Sequence, residues 1–367
     1  MTAQAPVRSG VDVPLIQTLG LTRHFKIGGG LRKKTLHAVD DANIVIHRQE
    51  IVALAGESGS GKSTVARLLA RVYAPTSGEI LYQGRSLADM RTRRQSQAYR
   101  SDVPMVFQDP FSSLNPAYRV SHGIIRGLKL HRPELDRSGR QAEAERVVEA
   151  VGLTPAGDIM GRYPHELSGG QRQRIGFAQA LAYRPKLILA DEPVSMLGVS
   201  IRIGLLNVMA KMRQEEGVSF LYITHDLASA RYVADRLIVM YAGNVVESGA
   251  MEDLLARPKH PYTQLLLDTV PDPRAPLSVT AQTDRGEPPK VVDPTPGCRF
   301  RFRCPLVVDE CHHLTPVLRV LGPEHSAACH VAVADPPAGP AAGPAPTPRD
   351  RSTEPPASEQ TSVYRPR

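Results

Sequence analysis

Residues 56–64 read GESGSGKST, and no other string in the chain constrains its fold as strongly. Gly56, four further residues, then Gly61, Lys62 and Ser63 give the spacing of a phosphate-binding loop. Its glycines let the backbone wrap closely enough for N–H groups to point at phosphate oxygens. An apolar run, Ile51 to Ala55, precedes the loop, and Val65, Leu68 and Leu69 follow it at helical spacing. A strand, a glycine loop and a helix whose positive N-terminal end faces the loop make an anion site. On this reading Lys62 meets the β and γ phosphates of a nucleotide and Ser63 ligates Mg²⁺. Gly56, Ser58, Gly59, Ser60, Gly61 and Thr64 complete the cradle. The competing reading, a glycine-rich turn that matches by chance, does not account for the strand and helix on either side.

Two more apolar runs, Leu187 to Ala190 and Phe220 to Ile223, end in polar or acidic residues, as buried strands of an α/β sheet do. The first is followed by Asp191 and Glu192. Phosphoryl transfer needs one carboxylate in the magnesium shell and another to orient the attacking water, so Asp191 takes the first role and Glu192 the second. By itself an apolar strand ending in Asp-Glu is common; downstream of the loop above it gains meaning. Between about 110 and 182 the pattern turns helical, with Ile124, Ile125 and Leu128 and then Val147, Val148 and Val151 at helical spacing, which predicts an inserted helical subdomain.

At 367 residues the chain has room for a large domain and a smaller one. Runs such as Leu237 to Met240 are far shorter than the roughly 20 residues of a membrane-spanning helix, and the N-terminus lacks a secretory signal pattern, so the expected location is cytoplasmic and stable disulfides are disfavoured. The net charge of +8 is compatible with nucleic acid or an anionic membrane. Trp is absent and aromatics are scarce, which removes a base-stacking platform, and no nucleic-acid partner is expected. The basic stretches Arg91, Arg93, Arg94, Arg100 and Arg299, Arg301, Arg303 are read as solvated surface. No internal repeat is evident. Residues 1–12 form a flexible lead, and 334–367, rich in Pro, Ala, Gly, Ser and Thr, a disordered tail.

LSGGQRQR at 167–174 resembles the signature motif of ABC ATPases. The order of elements fits as well, since that family places a Gln loop, the signature, the acidic strand and a switch histidine after the phosphate loop, and Gln108, Ser168, Glu192 and His225 fall in that order. The resemblance implies a P-loop NTPase domain of the ABC type at 13–265 with the helical subdomain inserted. It implies ATP and Mg²⁺ as ligands, Glu192 as the main catalytic carboxylate assisted by His225 and Gln108, and Gln108 together with Ser63 and Asp191 near Mg²⁺. Two subunits would pair head to tail, so Ser168, Gly169, Gly170 and Gln171 would serve the partner's nucleotide. Physically, Ser168 suits a helix cap whose free N–H groups face a γ phosphate. Phe25 falls where the family stacks an aromatic on adenine, although a lone aromatic could equally belong to the core.

QDPFSSLNP at 108–116 and HPYTQLLL at 260–267 are similar to the oligopeptide and dipeptide importer branch. That likeness implies an ATP-hydrolysing subunit that powers peptide uptake. It would sit at the cytoplasmic face of the membrane on two integral permease subunits, beside a paralogous ATPase, and be supplied by an extracellular substrate-binding protein. The branch also contains nickel and sugar importers, so the cargo is not fixed by these motifs. Two other functions compete: a regulatory subunit with weak turnover, against which stand Glu192 and His225, and a DNA-repair or translation ATPase, which would carry two fused cassettes or a coiled-coil insertion. Two positions depart from the family pattern. Gln49 replaces a Gly before Glu50, and VSMLGVS at 194–200 carries Gly198 where the family has an Asp that crosses the dimer interface.

All four cysteines, Cys298, Cys304, Cys311 and Cys329, lie after the ATPase core, within the segment 266–333 read as a small C-terminal domain. Their spacing lacks the close Cys-x-x-Cys pairs of zinc ribbons. The residues alone admit a four-thiolate iron–sulfur or zinc site, a zinc site with nitrogen ligands from His312, His313, His325 or His330, or free structural thiols. The similarity of GCRFRFRCP to the C-terminal part of peptide importer ATPases implies a [4Fe–4S] cluster with a structural role.

Overall fold

The computed structural model describes residues 13–28, 34–109, 114–268 and 291–333. The expected lead at 1–12, the tail at 334–367 and positions 110–113 of the QDPFSSLNP string lie outside the described residues. In chain order the first strands are β1 (Ile16–Ile27), β2 (Lys34–Ala42), β3 (Val45–Ile46), β4 (Ile51–Ala55), β5 (Ser77–Tyr82), β6 (Arg85–Ser86) and β7 (Met105–Val106). After a helical stretch come β8 (Leu187–Asp191), β9 (Ser219–Thr224), β10 (Arg236–Tyr241), β11 (Asn244–Ala250), β12 (Arg319–Gly322) and β13 (His325–Ala327).

The strands form two sheets. An antiparallel one runs β2-β1-β5-β6 with β3 also on β1, and a larger one runs β12-β13-β11-β10-β4-β9-β8-β7. Within the larger sheet, β10, β4, β9, β8 and β7 are parallel neighbours. Their interiors are apolar runs because both faces are covered. The period of two then sorts the side chains: Ile51, Ala53, Ala55, Ile188, Ala190, Phe220, Tyr222, Leu237 and Val239 enter one core, while Val52, Leu54, Leu187, Leu189, Leu221, Ile223, Ile238 and Met240 enter the other. The second core is closed by the antiparallel sheet and by the helix Lys62–Leu69.

The first core is closed by helices that lie between β7 and β8 in sequence: Val120–His131, Arg137–Ala150, Ala156–Gly161 and Gly169–Leu181. Ile124 and Leu128 of the first meet Val147 and Val148 of the second in that core. The Asp136 carboxylate caps the second helix, accepting the Gly139 N–H at 2.6 Å. Residues 291–333 extend the larger sheet, where β13 pairs with β11 (Glu247 opposite Ala327) and β12 with β13. Among the described residues no helix is long and apolar enough to cross a membrane.

Candidate active site

The loop after β4 holds a conformation that side chains would forbid. Gly56 has φ +149° and Gly61 φ +104°; a Cβ at Gly56 would stand 2.1 Å from the Met240 carbonyl oxygen, and one at Gly61 2.3 Å from that of Ala38. Gly61 is also the N-cap of the helix Lys62–Leu69 and offers no side chain to it, so the first N–H groups of that helix remain available to an anion. The Lys62 ammonium is buried and folds back over the loop, donating to the carbonyls of Gly56 (2.7 Å) and Glu57 (2.8 Å). Burial lowers its pKa, opposed by the charges of Glu192, Asp191 and Glu57. Ser58 and Gly59 are exposed, Ser60 is buried, and Thr64 is half-buried on the first turn.

Parallel pairing of β4, β9 and β8 brings the polar ends of all three to the same edge, where α/β sheets place their sites. Ser63 Oγ donates to Asp191 Oδ1 at 2.9 Å. Burial raises the Asp191 pKa, while the Ser63 hydrogen bond and the charges of Arg67 and Lys62 pull it down. A hydroxyl and a carboxylate in contact are the oxygen donors that suit Mg²⁺. Next to Asp191, Glu192 adopts the left-handed region (φ 47°) with its N–H on the Ile223 carbonyl, an unusual backbone for a non-glycine residue that turns the side chain away from the strand direction. Its Oε2 accepts from Gln108 Nε2 at 3.0 Å and lies 3.4 Å from Nδ1 of the exposed His225. Three residues read from separate motifs therefore meet at one carboxylate.

Ser168 caps the helix Gly169–Leu181 reciprocally: its Oγ accepts the Gln171 N–H at 3.2 Å and Gln171 Oε1 accepts the Ser168 N–H at 3.0 Å. Gly170 packs against the helix Val199–Glu216, where a Cβ would come 2.4 Å from Ile201 Cγ2. Among the described residues the side-chain hydrogen bonds of Ser168 and Gln171 are with each other's backbone and do not reach the phosphate loop. Phe25 is half-buried, edge-on to Tyr73, with the Arg23 guanidinium 4.5 Å over its ring. Gly198 starts the helix Val199–Glu216 at φ −62°, with open space where a side chain would project.

One sequence reading is corrected here. Arg299 and Arg303 are not solvated surface: their side chains are 15% and 12% exposed, Arg299 is paired with Asp40, and Arg303 makes a two-pronged pair with Glu57 at 2.9 and 3.0 Å. Tyr262 of HPYTQLLL was likewise not singled out, yet its hydroxyl accepts the Glu57 N–H at 2.9 Å. Nothing local in either string reveals these contacts. The stretch Arg91 to Arg100 keeps its arginines exposed. A further grouping absent from the sequence reading is His24, His37 and Asp40, whose ligating atoms lie within 4.8 Å of one another and whose carboxylate also holds Arg299.

The four cysteines are unpaired; Cys311 and Cys329 are buried, and the Cys298 N–H donates to the Cys311 carbonyl at 2.8 Å. Burial, with lesser contributions from the other three sulfurs, pushes the Cys298 thiol up to about 11. Cys304 and Cys329 are raised for the same leading reason. Among the described residues no three of these sulfurs stand within 4.8 Å of one another.

The ABC transporter family model matches residues 39–195, and the model described as oligopeptide/dipeptide transporter, C-terminal region, matches 246–311. The chain is 41% identical over 318 residues to a Brucella ovis protein described as a peptide import ATP-binding protein, covering 87% of this chain and 98% of that one. It is 38% identical over 322 residues to the oligopeptide transport ATP-binding protein AppF of Bacillus subtilis, covering 86% and 97%. A solved ATP-binding cassette, in a dimeric post-hydrolysis state with ADP and phosphate, superposes with a TM-score of 0.57 at 26% identity, over 64% of this chain and 98% of the other. A loop in which Gly56 and Gly61 leave no room for a side chain, a serine–aspartate contact beside it, and a carboxylate shared by glutamine and histidine thus coincide with these likenesses: the chain belongs to the ABC transporter ATPases, in their oligopeptide and dipeptide importer branch.

Proposed function

We propose that the chain is the subunit that hydrolyses ATP to drive peptide uptake, with residues 56–64 holding the triphosphate and Glu192 orienting the attacking water. The observation that carries this reading is the convergence of Gln108 and His225 on Glu192, next to the Ser63–Asp191 pair. Glu192 accepts hydrogen bonds and is directed out of its strand by its backbone, so it can hold a water through one oxygen while Gln108 fixes the other. Lys62 and the free N–H groups at the start of its helix neutralise phosphate charge. His225, exposed and within reach of Glu192, contacts the transferring group. Mg²⁺, when bound, spreads charge over the phosphates, with Ser63, Asp191 and Gln108 as its protein-side partners.

The reading extends to the assembly. Ser168 is exposed at the cap of its helix, and Met196 and Val199 beside Gly198 are 62% and 72% exposed, which suits an interface with a second ATPase subunit, a paralogue in this branch. The helices at 120–181 act as a subdomain that meets two integral permeases at the cytoplasmic face of the membrane, and an extracellular binding protein supplies the peptide. The segment 291–333 holds a [4Fe–4S] cluster on Cys298, Cys304, Cys311 and Cys329, a reading supported by the gathering of all four cysteines of the chain in this one segment. The deciding experiment is Glu192→Gln in the assembled complex: MgATP binding stays intact and hydrolysis falls by about a hundredfold or more, the scale of a lost catalytic base. Undiminished turnover would refute the role.

A further inference from the structure

Glu57 is the one acidic residue in the loop 56–64, an odd group to place where a triphosphate must bind. Its charge acts on Lys62, the cation of the same loop. Its backbone is pinned by Tyr262 and its carboxylate by both terminal nitrogens of Arg303. Arg303 comes from a part of the chain 246 residues away and is held over the rings of Tyr241 and Phe300, with its Nε buried and unbonded. A guanidinium left with an unmet N–H, yet making a full fork on one carboxylate, is placed for that carboxylate.

We infer that Arg303 is a positioning residue for nucleotide binding: it cancels the charge of Glu57 and keeps that carboxylate turned away from the phosphates. This rests on the assignment of residues 56–64 as the phosphate loop. The neighbour of Arg303 is Cys304, so the order of the cysteine segment sets how completely Glu57 is neutralised.

The test is MgATP binding to the full chain, measured by calorimetry, for Arg303→Gln, Arg303→Lys, Glu57→Gln and the double variant Glu57→Gln/Arg303→Gln. Arg303→Gln leaves a bare carboxylate beside the phosphates and weakens binding about tenfold, since a charge a few ångströms from a triphosphate in a partly solvated site is worth at least that much. Removing the carboxylate as well returns affinity to within about threefold of wild type, and Arg303→Lys, which keeps the charge without the fork, stays in that range. A merely structural clamp behaves differently: the double variant would remain as weak as Arg303→Gln, and that result overturns the proposal. Unchanged affinity in Arg303→Gln overturns it too. If Arg303→Gln does not fold, Arg303→Lys and Glu57→Gln decide: a tenfold loss in either is contrary to charge cancellation, and affinity at or above wild type in Glu57→Gln supports it. Failure of the wild-type chain to bind MgATP would instead sink the phosphate-loop assignment.

Discussion

Lys62 shows how one residue depends on the loop that precedes it. Its ammonium bonds to two carbonyls of its own loop, so it is held in position by the loop geometry. Lys62→Ala removes a charge-assisted contact and is expected to weaken MgATP binding roughly ten- to a hundredfold, as loss of a charged hydrogen bond does; equal affinities by equilibrium binding would contradict its role. Gly198 poses the opposite case, a position where the backbone makes no demand for glycine. Its φ of −62° is ordinary and a Cβ there meets no atom within 4 Å. Gly198→Asp should therefore fold with a stability change of only a few tenths of a kcal/mol. It should raise, or at least not lower, ATP turnover in the complex, because an Asp offers the interface an acceptor that glycine lacks. A clear fall in turnover would mean that glycine is matched to the partner.

At the scale of elements, the segment from His260 to Tyr262 joins the larger sheet to the phosphate loop through a buried imidazole. The His260 N–H donates to Glu247 Oε2 at 3.0 Å, its Nδ1 accepts from the Tyr262 N–H at 3.0 Å, and burial lowers its pKa to about 4. A folded-state value below the unfolded one near 6.5 means that the unfolded chain binds the proton more readily. The stability from keeping His260 neutral is thus fully present above about pH 6.5 and is lost as pH falls towards 4, a change of about 3 kcal/mol over that window. His260→Asn retains an acceptor for Tyr262 without the titration, and its denaturant-measured stability should fall less steeply between those pH values; parallel curves would refute this. The same scale explains what the sequence made legible. The strand before the loop, β8 and β9 could be read because burial on both faces leaves uninterrupted apolar runs. The antiparallel sheet was not foreseen, since β1 changes register at Leu21, Arg23 and His24 and its burial does not alternate. Arg299 and Arg303 were misread because alternate arginines look like a solvated edge, while their partners Asp40 and Glu57 stand 259 and 246 residues away. Local pattern carries no trace of such distant pairing.

The whole molecule ties its last segment to its first by these long-range contacts. Residues 291–333 add β12 and β13 to the larger sheet, bury Phe300 against Tyr241 and Tyr262, and send Arg299 and Arg303 to the N-terminal half of the chain. Cys298 and Cys304 bracket those two arginines. Burial pushes the Cys298 thiol up to about 11 and raises those of Cys304 and Cys329. Cys311 and Cys329 are buried and Cys298 and Cys304 half-buried, and the proposed cluster would hold all four as thiolates and fix the loop from 298 to 304. The chain purified without oxygen is therefore expected to be brown and to contain about four iron and four sulfide per chain. A colourless protein with stoichiometric zinc, or with no metal, would exclude the cluster. Removing it with a chelator and oxidant should weaken MgATP binding in the same direction as Arg303→Gln, since Arg303 then loses its anchor at Cys304. In the Glu57→Gln background the same treatment should change affinity far less, because no carboxylate remains to be exposed; an equal loss in both backgrounds would show that the segment acts on the nucleotide by some route other than Glu57.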